Sequence, residues 1–129
     1  MALTRPKYSQ IYDTDWKQSV EVASTGDVGN LTLGNLQPNS VDGISLSIGN
    51  RILVKDQTQG WENGIYTVRS VGTGSNGWWE RSLDANQNGF VTSGLTASIV
   101  AGSANGGKEF KLATIDPITL GVTSLTFVN

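Results

Sequence analysis

Two glycine-punctuated loops, four carboxylates and a few tryptophans carry the residue types and spacings that do chemistry in other proteins. Gly102-Ser103-Ala104-Asn105-Gly106-Gly107-Lys108 has the spacing of a phosphate-binding loop. Such a loop works when it opens a helix, whose first amides hold the phosphate, and when a hydroxyl follows the lysine to reach magnesium. Here Glu109 follows, and Phe110-Lys111-Leu112 continues as a strand, so the stretch reads as a hairpin loop. Asp84-Ala85-Asn86-Gln87-Asn88-Gly89 copies the first half of an EF-hand calcium loop. The twelfth position must be a bidentate glutamate, but it is Leu95, so the reading is a polar loop and no metal or cofactor is expected. Glu62, Glu80, Asp84 and Glu109 are the carboxylates that a histidine-free glycoside hydrolase would need. Nothing in their spacing fixes a pair across a cleft, so no catalytic residue is assigned. Trp61 sits beside Gly60 at a loop tip, and Trp78-Trp79 are adjacent on a strand and point to opposite faces. One of that pair belongs in a core and the other on a surface, where an indole anchors a protein interface or stacks on a sugar ring.

What the chain lacks narrows the chemistry further. Its 129 residues include no histidine and no cysteine, which excludes imidazole bases, thiolate nucleophiles, disulfides and zinc-sulfur sites. Nine basic and eleven acidic residues give a net charge of -2, unlike a protein that holds nucleic acid by charge. No run approaches the length of a membrane span, and the first ten residues lack the apolar core of a secretory signal. The expectation is a non-enzyme without nucleic-acid or membrane partners.

The elements that must position these residues read as strands. Hydrophobic residues are 37% and charged residues 16%, and 16 glycines separate short runs of Val, Ile, Leu and Thr. That pattern predicts an all-β chain, a small antiparallel β-barrel or β-sandwich, in one domain over residues 18–129. Strands are expected at 19–24, 31–33, 44–48, 51–55, 65–70, 78–81, 95–101, 108–113 and 124–128. On the strongest, Ile52 and Val54 share one face and Arg51, Leu53 and Lys55 the other, so half of each strand is expected to point away from the core. Asp42-Gly43 and Asn63-Gly64 supply hairpin corners. Residues 1–17 differ. With Pro6, Tyr8, Tyr12 and Trp16 they read as an extended arm with one short turn near its end, docking by its aromatic residues onto its own domain or a neighbour.

An ordered set of motifs runs through the rest of the chain. Val41-Asp42-Gly43-Ile44 is followed by Gly49-Asn50-Arg51-Ile52-Leu53-Val54-Lys55-Asp56-Gln57-Thr58 and then by Glu62-Asn63-Gly64-Ile65-Tyr66-Thr67-Val68. Trp79-Glu80-Arg81 with Asp84 come next, and Asp116-Pro117-Ile118-Thr119-Leu120-Gly121 near the end. From Val20 onward the chain resembles a β-rich domain that recurs in bacteriophage tail-fibre and other virion proteins. The resemblance implies a non-enzymatic building block of a phage particle, made in the bacterial cytoplasm and located in the virion. Its partners would be other capsid, collar or tail proteins, and it would form a homo-oligomer, with a trimer favoured. Tail fibre, collar or anchor, and capsid decoration all remain open, because here the domain is nearly the whole chain. The interface candidates are Tyr8, Tyr12, Trp16, Trp61 and Trp78. Arg51 and Lys55 could pair with Glu62, Glu80 or Asp84, and Arg81 with Asp84. The alternative function is a carbohydrate-binding module for host surface glycans, using Trp61 with Trp78 or Trp79.

Overall fold

The computed structural model describes residues 15–129. Tyr8, Tyr12 and the arm up to residue 14 lie outside the described residues. The chain is all-β, with nine strands among the described residues: β1 (Val22–Ala23), β2 (Ser40–Val41), β3 (Ile44–Ser45), β4 (Arg51–Val54), β5 (Gly64–Ser70), β6 (Trp78–Arg81), β7 (Thr96–Ser98), β8 (Glu109–Leu112) and β9 (Phe127–Val128). They form three sheets, in the orders β1-β4-β5-β6, β2-β3 and β7-β8-β9. None closes into a barrel. Nor is the pairing wholly antiparallel as expected. β1 runs parallel to β4, with Val22 opposite Ile52 and Ala23 opposite Leu53. A parallel neighbour needs a long crossover, and here residues 24–50, which contain the β2-β3 hairpin, provide it. No helix among the described residues is long and apolar enough to cross a membrane.

The central sheet is covered on both faces at β1, β4 and the start of β5, which corrects for those strands the expectation that half of each strand points outward. β6 and β8 do alternate exposed and buried residues. Val22, Ile52, Val54, Tyr66, Val68 and Trp79 pack on one side with Val28, Val41 and Leu46. Ala23, Leu53 and Ile65 pack on the other side with Ala97, Phe110 and Leu112 of the β7-β8-β9 sheet. Leu53, placed by alternation on an outward face, is fully buried. Its strand lies between a second sheet and a hairpin, so both sets of side chains leave water.

Local chemistry explains the other departures. Leu31-Thr32-Leu33 is a turn and no strand. The Asn30 Oδ1 accepts the Thr32 and Leu33 amides at 2.8 and 3.1 Å, and an asparagine that captures following amides diverts the backbone from a ladder. Asp42 and Gly43 form the expected two-residue corner, both with positive φ, joining the Val41–Ile44 pair. Asn63-Gly64 is not a corner. Gly64 already belongs to β5 and pairs with Val54. Residues 15–17 pair with β7, through Lys17 N–H to Thr96 O at 2.9 Å and Thr96 N–H to Asp15 O at 2.8 Å.

The two-sided core sets a clear expectation. Leu53→Ala should destabilise the domain by about 2–5 kcal/mol, whereas Ile48→Ala at an exposed position should change stability by less than about 0.5 kcal/mol. Urea unfolding followed by tryptophan fluorescence measures both, and similar values for the two would refute burial of both sheet faces.

Candidate functional site

The Glu62-to-Tyr66 motif forms a buried polar cluster. Gly60–Glu62 make one 3-10 turn between β4 and β5, which leaves several carbonyls of that connection without a ladder partner. Arg81 on β6 meets two of them. Its Nη1 donates to Asn63 O and its Nη2 to Trp61 O, each at 3.0 Å. The Tyr66 hydroxyl donates to Glu62 O at 2.6 Å. Asn63 uses both ends of its side-chain amide, accepting the Gln57 N–H at 3.0 Å and donating to Leu125 O at 2.9 Å. The buried Glu62 carboxylate accepts from Gln57 Nε2 at 3.0 Å and from the Leu31 N–H at 3.2 Å. Tyr66 and Arg81 are register partners across β5 and β6, and the guanidinium lies 5.1 Å from the ring centroid. A Cβ on Gly64 would collide with Arg81 Nη1, so the glycine is what lets the guanidinium reach the connection.

Burial governs the ionisation of this pair. It pushes the Tyr66 phenol up to about 12; the positive charge of Arg81 opposes the rise and Glu62 adds to it. Burial also lowers Arg81 from its ordinary value, against the favourable effects of Tyr66 and Glu62.

The remaining charged motif residues are likewise engaged in structure. Asp42 fills the glycine-rich loop that resembles a phosphate cradle. Its carboxylate accepts the Ala104 N–H at 2.9 Å through Oδ1 and the Asn105 N–H at 2.9 Å through Oδ2. Its carbonyl accepts the Ser103 N–H at 3.1 Å. The loop connects β7 to β8 and does bind an anion, but that anion is the chain's own. Arg51 makes a two-pronged pair with Asp84, at 2.9 and 3.0 Å, so the first ligand of the calcium-like loop is already taken. Arg81 and Asp84 therefore do not bridge locally as expected. Lys55 meets Asp56 at 3.1 Å and lies 5.0 Å from the Phe110 ring, and Arg69 pairs with Glu80 at 3.1 Å. The Asp116–Pro117 peptide bond is cis, and Gly121 has a positive φ.

The tryptophans divide between two places. Trp61 and Trp78 line one cleft of about 310 Å³ together with Thr32, Tyr66, Trp79 and Arg81. Trp78 is 42% exposed and Trp79 2%. The Trp79 indole N–H is buried and meets no acceptor. Trp16, 65% exposed, lines a separate groove of about 690 Å³ with Glu109, Lys111 and Val128. No three metal-ligating side chains come together among the described residues.

Sequence reasoning missed Gln57, Gln37 and Asn105, all buried polar residues. Gln57 donates to Gly29 O at 2.9 Å and accepts the Val28 N–H at 2.8 Å, while Asn105 Nδ2 donates to Ser24 O at 3.3 Å. Only a polar residue inside an otherwise apolar or glycine-bound stretch hinted at them. Comparison of the chain with family models, curated proteins and solved structures returns no match.

Two expectations follow from these contacts. Because the folded-state pKa of Tyr66 lies above the unfolded value near 10, its contribution is intact below pH 10 and is lost as the pH rises to about 12. Wild type should lose roughly 2–3 kcal/mol more than Tyr66→Phe across that window, and parallel alkaline profiles in urea unfolding would contradict it. A double-mutant cycle at Arg51 and Asp84 should give a coupling above about 1 kcal/mol, since the pair is two-pronged and mostly buried. The same cycle at the exposed Arg69 and Glu80 should give under about 1 kcal/mol.

Proposed function

We propose that this chain is a non-enzymatic structural component of a bacteriophage particle, of tail-fibre, collar or decoration type. It acts by packing its β domain against other virion proteins and against copies of itself, with a trimer favoured. The observation that carries the reading is where the ordered motifs fall. Asp42, Arg51, Asn63, Tyr66 and Asp84 spend their polar groups on contacts inside the domain, and Arg81 spends two of its N–H donors there. A motif set used in this way specifies a fold.

The same reading takes the two larger sheets as the layers of a sandwich. Its support is the shared core of Leu53 and Ile65 with Phe110 and Leu112. Residues 1–17 act as the docking arm, a reading that the pairing of residues 15–17 with β7 supports. The groove beside Trp16 opens at that point.

Mass spectrometry of purified particles from the encoding phage tests the proposal directly. The chain should be present in stoichiometric copies, and its absence from intact particles would end the reading. Deleting residues 1–14 should leave the melting temperature within about 2 °C, since the β7 pairing is retained, and should abolish incorporation. Normal incorporation of the truncated chain would remove the arm from the mechanism.

A further inference from the structure

The cleft between Trp61 and Trp78 differs from the rest of the surface because it holds polar groups that the fold leaves unspent. Its lining includes the Trp79 ring, whose own N–H is sealed inside the domain. Arg81 also lines it, and that guanidinium uses Nη1 and Nη2 on two backbone carbonyls but has five N–H donors in all. Glu80 on the rim accepts from Arg69 through Oε1 only. The Thr32 hydroxyl donates to Asn30 Oδ1 and keeps its lone pairs. Donors and acceptors thus stand together beside two indole rings.

The lining carries Glu62, Glu80 and Arg81, and Arg69 outside it offsets the excess negative charge. Glu80 is answered by Arg69 at 3.1 Å, and the Glu62 carboxylate near Arg81 is held by the Gln57 and Leu31 N–H groups. The site therefore suits an uncharged ligand. At about 310 Å³ the cleft lies at the lower end of small-ligand pockets. A peptide strand added along β6 is disfavoured, because the segment carrying Gln37 already closes the end of that edge. Gln37 and Gly77 exchange two backbone bonds, at 3.1 and 2.8 Å.

We infer that this cleft is a binding site for a neutral pyranose sugar, with Trp61 and Trp78 stacking on its C–H faces and Arg81, Glu80 and Thr32 meeting its hydroxyls. A hydroxylated ring is the ligand class that presents an apolar face and both donors and acceptors in so small a volume. An apolar protein patch would leave the spare guanidinium donors unmet. The inference stands apart from the assembly reading, which survives if no sugar binds.

Isothermal titration and saturation-transfer NMR on the full chain test it. The probes are neutral trisaccharides of glucose, galactose, mannose and N-acetylglucosamine, with trigalacturonate and a peptide of residues 1–14 as competitors of other chemistry. At least one neutral trisaccharide should bind in the millimolar range or tighter. Trp61→Ala and Trp78→Ala should each weaken it by roughly five- to tenfold, with circular dichroism reporting that both variants fold. Trp16→Ala, in the separate groove, should leave the affinity unchanged. Four outcomes would overturn the proposal: no neutral sugar bound up to its solubility limit, trigalacturonate bound in preference, binding insensitive to both substitutions, or the peptide as sole ligand.

Discussion

Everything in this fold depends on how the connection between β4 and β5 is satisfied. Most strands span only two to four residues, so few backbone groups can be paired in ladders, and those buried without a partner each cost about 1–3 kcal/mol. The segment from Gln57 to Asn63, buried at both ends and exposed at Thr58 and Gln59, has no regular structure beyond one 3-10 turn. Side chains supply its missing partners: Arg81 and Tyr66 cover three carbonyls, Asn63 covers the Gln57 amide within the segment and the Leu125 carbonyl from a distant one, and Glu62 collects donors from Gln57 and Leu31. Removing any of these leaves a buried group with nothing to meet it. That is a sufficient physical reason for this density of polar residues in a small β domain, without appeal to catalysis.

The same constraint accounts for the glycines that matter. Gly64 lacks a Cβ where Arg81 must pass. Gly102 has a positive φ and sits against the Asp42 carboxyl group, where a Cβ would collide. In both cases a charged side chain reaches into backbone, and only glycine gives it room. Asp42 then holds the β2-β3 hairpin to the β7-β8 loop, and Arg51 with Asp84 ties β4 to the chain just after β6. Hairpin, central sheet and outer sheet are joined by charge-assisted bonds as well as by apolar contact.

How much of this the sequence revealed depends on the range of the determining interaction. Asp42-Gly43 was legible because a two-residue corner is decided by its own φ preferences. Arg51-Ile52-Leu53-Val54 was legible as a strand with Ile52 and Val54 on one face and Leu53 on the other, but burial of the second face was missed. Period-two alternation and a continuous apolar run both fit the segment, and only the latter signals burial on two sides. Leu31-Thr32-Leu33 has strand composition, yet Asn30 beside it decided the outcome through its side chain. The partner choice of Arg51 was visible only as a set of candidates. The roles of Gln57 and Asn105 were not visible at all, because Gln57 binds segments 28 and 29 residues away and Asn105 one 81 residues away.

Spent and unspent polar groups distinguish the working surfaces from the scaffold. The carboxylates of Asp42, Glu62 and Asp84 and the guanidinium of Arg51 are committed to internal partners. None can serve a ligand unless the fold first gives them up. The cleft beside Trp61 and Trp78 keeps donors and acceptors free, and it lies at β6, the outer edge of the central sheet. The Trp16 groove lies on the other large sheet, where residues 15–17 join β7. The two aromatic sites share no lining residue. The proposed packing through the arm and the proposed binding at the cleft therefore place no conflicting demand on a shared side chain, whereas Glu62, Tyr66 and Arg81 tie the cleft to the polar cluster under the β4-β5 connection.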